Sequence, residues 1–495
     1  MRNSFDGFKR ALGYLGSIHL FFGFVFLAPL LSVFLFPDMP NKTAQVFSFL
    51  LPSIFTFSLG GSFIRAYGTK HLESAREAVL VCVLGWLSVS AVGAVPFALQ
   101  LDISYLDAYF ETMSGFTTTG ITVLSNLDTM APSILLWRSM IQWLGGLGIL
   151  ALFLVFMFSS TGAHRIFTAE SHKILARRPV PGLFRTLKIL WTIYAILTFA
   201  CTLLLFIGGM SIFDALCHAL TTLSTGGYST HDASIDYYRQ AGYAGFAFIE
   251  YTLVFFMLLG GINFLVHFRL MRGDFRALYD SFEIKLFWII IAAATAIVAV
   301  EHLKIAPDDS ITDTIRYSIF QVVSILTTTG FGTKDIGTPF FGAGAKLIFL
   351  SLMVIGGCVG STGGGVKVMR IGILWKMLLR QIKKILYPSK ARIPLTLDGA
   401  MIEIEEIRRV GALFFAWIIL LFLGGLITAL FSNLGALESA SGMFSALGNI
   451  GPCYITAQQI TVLHPVVKVT YILGMLAGRL EILPVLLLFS KRAWK

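Results

Sequence analysis

Four short stretches rich in threonine, asparagine and glycine interrupt an otherwise apolar sequence. They read TTTGI (117–121), TGGY (225–228), TTTGF (327–331) and NIGP (449–452). A dehydrated cation needs oxygen ligands in place of its water shell, and rings of backbone carbonyls can supply them. Glycine adopts the positive φ angles that turn successive carbonyls toward one axis. The stretches therefore predict four strands around a cation pathway, here named filter strands 1 to 4 in chain order.

The predicted cation ligands are backbone and hydroxyl oxygens of these strands. They belong to Thr118, Thr119, Gly120, Ile121, Thr225, Gly226, Gly227, Tyr228, Thr328, Thr329, Gly330, Phe331, Asn449, Ile450 and Gly451. Filter strand 2 has two candidate glycines. We align Gly227 with Gly120 because both lie 13 residues after an aspartate, Asp214 or Asp107. One such stretch would carry little weight, since threonine and glycine also enrich at membrane helix contacts; four in matching surroundings carry much more.

Each filter strand follows a segment with the pattern of a short amphipathic helix. The segments are LDAYFETMSGFTTTGIT (106–122), FDALCHALTTLSTGGYST (213–230), TDTIRYSIFQVVSILTTTGFGT (312–333) and LESASGMFSALGNIGP (437–452). Each begins with an acidic or hydroxyl residue suited to cap a helix, and each runs for about three turns, too short to span a bilayer. An apolar run precedes and follows each segment. The repeated unit is a spanning helix, a re-entrant helix, a filter strand and a second spanning helix.

The composition is that of a protein embedded in lipid. The chain has 495 residues, of which 56% are hydrophobic and only 13% charged, with a mean hydropathy of +0.79. Apolar runs of roughly 20 residues, enough to cross a bilayer, lie at 15–36, 44–64, 78–99, 133–158, 187–209, 244–268, 284–300, 343–358, 411–431 and 466–490. The first run lacks the small-residue cleavage site of a signal peptide.

The predicted fold class is an all-α polytopic membrane protein. Four tandem membrane–pore-loop–membrane repeats surround a pseudo-four-fold pore, and two further transmembrane helices precede them. The boundaries are the N-terminal helices (1–70), repeat 1 (71–165), repeat 2 (166–276), repeat 3 (277–395) and repeat 4 (396–495). A pore is indicated because irregular backbone at membrane depth is tolerated only where it is buried or lines a water-filled cavity. The re-entrant helices direct the negative ends of their dipoles at its centre, which favours cations.

Basic residues cluster in alternate connections and at the C-terminus. They are Arg165, Lys173, Arg177, Arg178, Arg185, Lys188, Arg269, Arg272, Arg276, Lys367, Arg370, Lys376, Arg380, Lys383, Lys384, Lys390, Arg392, Lys491, Arg492 and Lys495. The positive-inside rule predicts that these loops and the C-terminus are cytoplasmic. The net charge of +11 then reports topology, and we predict no nucleic-acid partner.

A glycine-rich stretch, IGGCVGSTGGGVKV (355–368), interrupts the second spanning run of repeat 3. Six glycines, each costing up to about 1 kcal/mol relative to alanine, predict a broken helix. We predict an intramembrane gating loop at 356–366, on the cytoplasmic side of the filter. Its gating residues are Gly360, Ser361, Thr362, Gly363, Gly364 and Gly365. A phosphate-binding P-loop is disfavoured, because it needs a preceding strand and Ser or Thr after the lysine, whereas Val368 follows Lys367.

Arg479 lies inside the last apolar run. A charge within a span is costly and indicates a function with a nearby partner. We expect Arg479 to bind carbonyls of the gating loop, with Glu481 as a counter-charge, and to raise the barrier to cations beneath the filter. The alternative is that Arg479 only pairs with Glu481 or extends to the membrane surface.

The filter strands and three further motifs resemble the superfamily of Trk, Ktr and HKT potassium transporters. The motifs are WRSMIQWLGGLGIL (137–150), GGCVGSTGGGVKVMR (356–370) and LAGRLEILP (476–484). The similarity covers nearly the whole chain. The two N-terminal runs, which Ktr-type subunits usually lack, favour the TrkH-type membrane subunit, and a Ktr-type, sodium-dependent potassium transporter is the alternative.

The resemblance implies a homodimer in the bacterial inner membrane, with the pore loops on the periplasmic side. It also implies a cytosolic, nucleotide-binding regulatory subunit of the TrkA type that controls gating. The family's filter glycines correspond here to Gly120, Gly227, Gly330 and Gly451, and glycine at all four implies passage of K⁺ and Rb⁺. Filter strand 4 departs most from the pattern, with Asn449 and Ile450 where strands 1 and 3 have threonines.

Two other classes of function fit less well. A secondary transporter would show inverted repeats with alternating topology, although an ion-coupled cation symporter stays open as an alternative. An intramembrane enzyme would need a nucleophile–base pair or paired metal ligands within the spans. The nine histidines have no metal-binding spacing, and the five cysteines form no CxxC pair. We therefore predict no enzyme and no organic cofactor, with K⁺ at the filter as the transported ion.

Overall fold

A computed structural model describes residues 2–36, 40–68, 75–159, 183–388 and 393–488. Several of the basic residues used to predict topology lie outside these ranges. They are Arg165, Lys173, Arg177, Arg178, Lys390, Arg392, Lys491, Arg492 and Lys495. The predicted boundaries between the N-terminal helices and repeat 1 and between repeats 1 and 2 also lie outside them.

The described chain is almost entirely helical. Its helices are α1 (Arg2–Val25), α2 (Leu30–Leu35), α3 (Lys42–Tyr67), α4 (Ala75–Gly93), α5 (Val95–Gln100), α6 (Tyr105–Phe116), α7 (Pro132–Ser159), α8 (Leu183–Ile207), α9 (Ile212–Leu223), α10 (Asp236–Gln240), α11 (Phe246–Gly261), α12 (Phe264–Met271), α13 (Phe282–Ile305), α14 (Ile311–Leu326), α15 (Ala343–Ile355), α16 (Val368–Leu386), α17 (Ile404–Leu430), α18 (Ala436–Gly448), α19 (Ala457–Thr461), α20 (Pro465–Arg479) and α21 (Ile482–Leu488). Single 3₁₀ turns lie at Leu127–Thr129 and Phe275–Leu278. A two-residue antiparallel pair, β1 (Thr396–Leu397) and β2 (Ala400–Met401), precedes α17.

Helices occupy all ten predicted apolar runs. Among the described residues, six helical segments are long and apolar enough to cross a membrane, or seven if the bent pair α11–α12 counts as one span. Exposed phenylalanine, leucine and isoleucine side chains cover their outer faces, as expected for helices in contact with lipid tails. The chain is therefore an all-α polytopic membrane protein.

Two predicted runs are broken, whereas the helices α1 and α2 in run 15–36, and α4 and α5 in run 78–99, continue each other as one span. The run at 244–268 bends by 104° between α11 and α12. Asn263 lies at the bend and caps α12, where its side chain accepts a hydrogen bond from the Leu265 amide. The last run stops at Arg479 and resumes at Ile482, and Glu481 between them has a positive φ of 63°. Sequence hydropathy alone does not register either break.

Four re-entrant helices, α6, α9, α14 and α18, precede the filter strands. Ser104 and Ser211 cap the first two, each accepting a hydrogen bond from the amide of an aspartate three residues later, at 3.1 and 3.0 Å. In α18 the Glu438 carboxylate accepts the Gly435 amide at 2.8 Å. The acidic residues thus occupy the third helical position and do not form the cap itself, which corrects the sequence prediction by three residues.

The repeats are arranged in a closed ring. One cluster of buried apolar side chains joins repeats 2 and 3, and a second joins the N-terminal helices with repeats 1 and 4. The ring closes because α20 of repeat 4 packs against α6 of repeat 1. There Lys468 forms an ion pair with Asp107. The four filter strands meet between the two clusters.

Candidate functional site: a ring of backbone carbonyls

The four filter strands share one backbone conformation. Each has a positive φ at two positions separated by a single residue. The pairs are Thr118 and Gly120 (54° and 82°), Thr225 and Gly227 (53° and 73°), Thr328 and Gly330 (60° and 88°), and Asn449 and Gly451 (54° and 106°). This alternation also aligns Gly227, and not Gly226, with the glycines of the other strands. Strand 4 keeps the conformation although its side chains differ from those of strands 1 and 3.

Backbone amides of the filter strands bond back to their own re-entrant helices. In repeat 1 the amides of Thr119 and Gly120 both donate to the Ser114 carbonyl, at 2.8 and 3.5 Å. The Thr221 carbonyl receives the amides of Gly226 and Gly227 at 2.9 and 3.3 Å, and the Ser324 carbonyl those of Thr329 and Gly330 at 2.8 and 3.2 Å. In repeat 4 the Ser445 carbonyl and hydroxyl accept Ile450 and Gly451 at 3.1 and 3.0 Å.

These bonds fix the direction of the carbonyls. In a planar trans peptide the N–H group and the C=O group of the preceding residue point in opposite directions. Since the amides point at the re-entrant helices, the carbonyls one residue earlier point away from them. Two layers result, one from Thr118, Thr225, Thr328 and Asn449, and one from Thr119, Gly226, Thr329 and Ile450. We call the second layer the carbonyl ring.

Close approaches between neighbouring repeats show that the carbonyl ring is closed. A Cβ atom added to Gly120 would overlap the Gly226 carbonyl oxygen of repeat 2. One added to Gly227 would overlap the Thr329 oxygen of repeat 3, and one added to Gly330 the Ile450 oxygen of repeat 4. At Gly451 it would lie 3.0 Å from the Thr119 oxygen of repeat 1. Each filter glycine therefore faces the carbonyl of the next repeat around one axis.

Side chains brace the strands differently from repeat to repeat. The hydroxyls of Thr117 and Thr119 share a hydrogen bond of 2.7 Å, and those of Thr327 and Thr329 share one of 2.8 Å. The Asn449 amide donates to the Thr119 hydroxyl and to the Met475 carbonyl, both at 2.9 Å. Thr117 and Thr327 were not among the predicted ligands. Their position as the first threonine of each TTTG stretch could have indicated this bracing role.

The residues after the filter glycines pack into the protein. Ile121, Tyr228 and Phe331 are at most 2% exposed. The Tyr228 hydroxyl donates to the Glu111 carbonyl at 2.9 Å, and the Phe331 carbonyl accepts the Ser324 hydroxyl at 2.6 Å. The side chains of these three residues are buried in the protein around the filter strands. Only their backbone atoms could therefore contribute to the predicted ion binding.

A buried ion pair lies behind filter strand 1. Arg138 of α7 and Glu111 of α6 are at most 1% exposed, and their closest atoms are 3.0 Å apart. The Arg138 guanidinium also donates to the Ser229 carbonyl at 2.9 Å and lies 4.1 Å from the centre of the Tyr228 ring. The pair thereby links repeats 1 and 2. Arg138 was not among the site residues predicted from the sequence.

Gln142, also on α7, is a second residue that the sequence did not indicate. Its side-chain amide donates to the Gly226 carbonyl at 2.7 Å and accepts the Tyr228 amide at 3.0 Å. Gly226 belongs to the carbonyl ring, so this side chain contacts the candidate site directly from a neighbouring repeat.

The glycine-rich stretch of repeat 3 crosses the base of the filter, where the re-entrant helices end. It lies between α15, which ends at Ile355, and α16, which begins at Val368. The Gly364 amide donates to the Thr328 hydroxyl at 2.7 Å. The Thr362 hydroxyl donates to the Leu223 carbonyl at 3.0 Å and accepts a hydrogen bond of 3.2 Å from Thr225. The loop therefore touches filter strands 2 and 3.

Glycine is required where this loop passes close to other backbone. A Cβ atom at Gly364 would overlap the Gly448 carbonyl at the end of α18, and one at Gly363 would lie 2.9 Å from the Thr327 carbonyl. Gly360 and Gly365 have positive φ angles of 74° and 77°. Ser361 is bonded within the loop, to the Cys358 carbonyl at 2.7 Å. The loop fills the space directly beneath the filter strands.

Arg479 contacts the loop. Its guanidinium donates to the Thr362 carbonyl at 2.7 Å and to the Gly145 carbonyl of α7 at 3.0 Å. It thus connects repeat 4 with the loop of repeat 3 and with repeat 1. The expected role of Glu481 as its counter-charge is wrong, because Glu481 pairs with Arg370 at 2.7 Å. The charge of Arg479 is met by backbone carbonyl dipoles.

The loops that follow filter strands 1 and 2 meet at His231. Its ring bonds Asp128, lies 3.7 Å from the Asp214 carboxylate and stacks on Tyr237 with the ring centres 3.5 Å apart. Burial alone would lower the pKa of His231, but the hydrogen bonds and charges of Asp214 and Asp128 outweigh burial and raise it above its usual value. The ring thus joins the two loops, and the two carboxylates favour its protonated form.

The fold and the site define a class: a polytopic helical membrane protein whose four repeats bring backbone carbonyls together around one axis. A family model for TrkH, described as a cation transport protein, matches residues 47–494. The chain belongs to this TrkH family. The family consists of transport proteins, so the chain is a transporter and not an enzyme.

Several known proteins are similar over most of their length. The chain is 34% identical to the Trk system potassium uptake protein TrkH of Escherichia coli K12 over 432 residues, which cover 85% of this chain and 86% of that protein. It is 35% identical to an uncharacterized cation transporter of Methanocaldococcus jannaschii, covering 90% and 89% of the two chains. The crystal structure of the potassium transporter TrkH from Vibrio parahaemolyticus superposes with a TM-score of 0.86, at 29% identity, covering 99% and 100% of the chains.

Proposed function

We propose that this chain is a channel-like potassium uptake transporter and that K⁺ and Rb⁺ pass through the carbonyl ring. The observation that carries the proposal is the closed set of four glycine–carbonyl approaches, from Gly120 onto repeat 2 around to Gly451 onto repeat 1. The names of the relatives from Escherichia coli and Vibrio parahaemolyticus support potassium as the cargo.

The chemistry is an exchange of solvation without any covalent step. Carbonyl oxygens of the two filter layers take the place of water around the dehydrated ion. Their amides are already bonded to the re-entrant helices, so the oxygens are oriented before the ion arrives. The carboxyl ends of α6, α9, α14 and α18 add the negative ends of four helix dipoles, which favour a cation and disfavour an anion.

The loop at 356–366 is proposed as the gate. It occupies the base of the filter, and Arg479 holds it through the Thr362 carbonyl. A fixed positive charge beneath the filter raises the barrier for a cation leaving it. Opening therefore requires the loop and Arg479 to part. Lys367, whose ammonium group donates to the Gly363 carbonyl, would have to release the same segment.

The setting of the transporter is proposed from its family. We infer a homodimer in the bacterial inner membrane, with the pore loops periplasmic and the basic loops and C-terminus cytoplasmic. A cytosolic nucleotide-binding subunit of the TrkA type would act on the loop from that side. The relative from Escherichia coli is named as part of a Trk system, which is in keeping with a transporter that works with other components.

Rubidium uptake into proteoliposomes containing the purified chain tests the proposal. With a potassium gradient as the driving force, external K⁺ should abolish tracer uptake and external Li⁺ should barely affect it. Equal inhibition by both ions would contradict a potassium-selective ring. Uptake that appears only with an imposed Na⁺ or H⁺ gradient would favour the alternatives, a Ktr-type sodium-dependent transporter or an ion-coupled cation symporter.

A further inference from the structure

Gln142 occupies a position that is methionine in the other three repeats. In each repeat this residue lies in the second spanning helix, three positions before a glycine. The four pairs are Gln142 and Gly145, Met257 and Gly260, Met353 and Gly356, and Met475 and Gly478. All four side chains are fully buried, at 0% exposure. A single polar residue at an otherwise apolar, repeated position requires a specific explanation.

The side chain of Gln142 bonds both sides of the filter glycine of repeat 2. Its amide nitrogen donates to the Gly226 carbonyl at 2.7 Å, and its amide oxygen accepts the Tyr228 N–H at 3.0 Å. Gly227 lies between these two atoms in the chain. The primary amide therefore pairs with strand 2 as a neighbouring peptide group would.

The sequence of filter strand 2 is matched to this glutamine. Gly226 stands where strands 1, 3 and 4 have Thr119, Thr329 and Ile450. A Cβ atom built on Gly226 would overlap the side-chain amide of Gln142. The space that a threonine side chain would need is thus occupied by the glutamine from repeat 1.

Strand 2 also lacks the brace that strands 1 and 3 have. Their paired threonine hydroxyls, at 2.7 and 2.8 Å, correspond to Ser224 and Gly226, and Gly226 has no hydroxyl to share. The Ser224 hydroxyl keeps the bond to the carbonyl four residues earlier, that of Leu220 at 2.9 Å, which Thr117 and Thr327 also make in their own strands. The two hydrogen bonds that Gln142 forms with strand 2, one donated and one accepted, replace the missing brace.

The Gly226 carbonyl differs from the rest of the carbonyl ring. Within the described chain, no hydrogen bond reaches the carbonyls of Thr119, Thr329 or Ile450, whereas Gly226 accepts one from Gln142. A carbonyl oxygen has two lone pairs, so one is left for the ion. The hydrogen bond restrains the Gly226 oxygen. A restrained oxygen moves less readily toward the axis to contact a smaller ion.

We propose that Gln142 is the positioning residue of filter strand 2 and that it determines how strongly the ring discriminates K⁺ from the smaller Na⁺. The inference rests on the proposed function of the carbonyl ring. Without Gln142 the ring still closes, but the strand 2 carbonyl moves freely enough to approach Na⁺. Sodium then competes better for the same pathway.

Gln142→Met tests this by installing the residue that the other repeats carry. We expect rubidium uptake to persist and Na⁺ to inhibit it roughly fivefold more strongly relative to K⁺, the ratio that corresponds to one lost hydrogen bond. Gln142→Glu keeps the acceptor for Tyr228 but loses the donor to Gly226, and it should weaken discrimination as well. Met257→Leu, at the equivalent buried position of repeat 2, is the matched control and should leave the inhibition ratio unchanged.

A rescue experiment separates positioning from general destabilisation. Gly226→Thr alone should reduce uptake, because its side chain overlaps the Gln142 amide. The double variant Gln142→Met with Gly226→Thr combines the residue types of the equivalent positions in repeats 2 and 3, Met257 and Thr329, and lets residue 226 bond Ser224. We expect it to recover uptake and discrimination beyond either single variant.

The outcomes distinguish this inference from the proposed function. Wild-type uptake that does not discriminate K⁺ from Na⁺ overturns the proposed function itself. Discriminating wild-type uptake with an unchanged ratio in a folded Gln142→Met variant overturns only the role of Gln142. If Gln142→Met does not fold, the double variant decides: restored selective uptake supports the inference, and a folded double variant without selectivity contradicts it.

Discussion

The carbonyl ring and the loop beneath it are built on opposite principles. The ring takes one backbone conformation from each of four repeats, with the same two positive φ angles in strands as different as TTTG and NIGP. The loop occurs once, in repeat 3, and it contacts filter strands 2 and 3, the end of α18 and Arg479. We infer that ion coordination depends on repeated backbone geometry, whereas control depends on side chains present in a single copy.

Replacement of a filter glycine by alanine should disrupt the carbonyl ring and reduce rubidium uptake more than any other change considered below. The left-handed backbone costs an L-residue about 1–2 kcal/mol, and in Gly330→Ala the new Cβ would also overlap the Ile450 carbonyl. Rubidium uptake should fall by more than roughly tenfold. The effect should be smaller for Gly451→Ala, where the added atom lies 3.0 Å from the nearest oxygen.

Gly332→Ala is the matched control for this experiment. Gly332 lies two residues from Gly330, has no positive φ, and a Cβ there would meet only the Lys334 carbonyl at 3.4 Å. Its uptake should equal that of the wild type. An equal loss in both variants would mean that the backbone geometry of the ring is not what matters.

Removal of Arg479 should increase rubidium flux, because it releases the loop at 356–366, which occurs only in repeat 3. Arg479→Ala eliminates the bonds to the Thr362 and Gly145 carbonyls, and resting rubidium flux should rise several-fold in the absence of any partner. Arg479→Lys retains the charge but not both hydrogen bonds, so its resting flux should lie between those of the wild type and Arg479→Ala. Arg408→Ala, an arginine whose side chain is 72% exposed, serves as control. Unchanged flux in Arg479→Ala would remove its gating role.

The buried pair behind strand 1 tests stability and not conduction. Glu111→Gln leaves Arg138 buried without its partner, and the loss of one member of such a pair typically costs about 3–5 kcal/mol. The melting temperature in detergent should therefore drop clearly. Gln321→Leu is the control, since Gln321 lies at the same position, nine residues before its filter glycine. Its amide has no hydrogen-bond partner among the described residues, so no comparable drop is expected.

The smallest effect should be at the loops outside the ring. The pKa of His231 is raised in the folded protein, so its contribution to stability is complete below its unfolded pKa of about 6.5. That contribution is lost as the pH rises through the folded pKa. Melting temperature should thus decline from neutral to mildly alkaline pH more steeply in the wild type than in His231→Gln. Identical slopes would show that His231 does not join the two loops.

Much of the fold was readable from the sequence, because lipid imposes strong rules. All ten apolar runs are helical, and the four re-entrant helices precede Gly120, Gly227, Gly330 and Gly451 as expected. The failures are local. The break between α11 and α12 is marked by one capping side chain, Asn263, and hydropathy averages over such a residue. The position of the helix caps was wrong by three residues, because acidic residues serve equally well at the cap and in the first turn.

Those parts of the candidate site that depend on a local sequence pattern could be predicted. The TTTG stretches predict a backbone with carbonyls turned to one axis, and the glycines of 356–366 predict a broken helix. Partners distant in sequence could not be derived in this way. Gln142 lies 84 residues from Gly226, and Arg138 is separated from Ser229 by 91. Glu481 was assigned to Arg479 because it is near in sequence, but Arg370 reaches it across the fold.

The most direct test of the account is ion binding to the ring in the absence of flux. The measurement is the melting temperature of the purified chain in K⁺, Rb⁺, Na⁺ and Li⁺ chloride at one ionic strength, for the wild type and for Gly330→Ala. A ligand that binds only the folded state raises its stability. The account predicts that K⁺ and Rb⁺ raise the melting temperature above the Na⁺ and Li⁺ values, and that Gly330→Ala abolishes the difference. The same melting temperature in all four salts, or a difference that survives in Gly330→Ala, would contradict it.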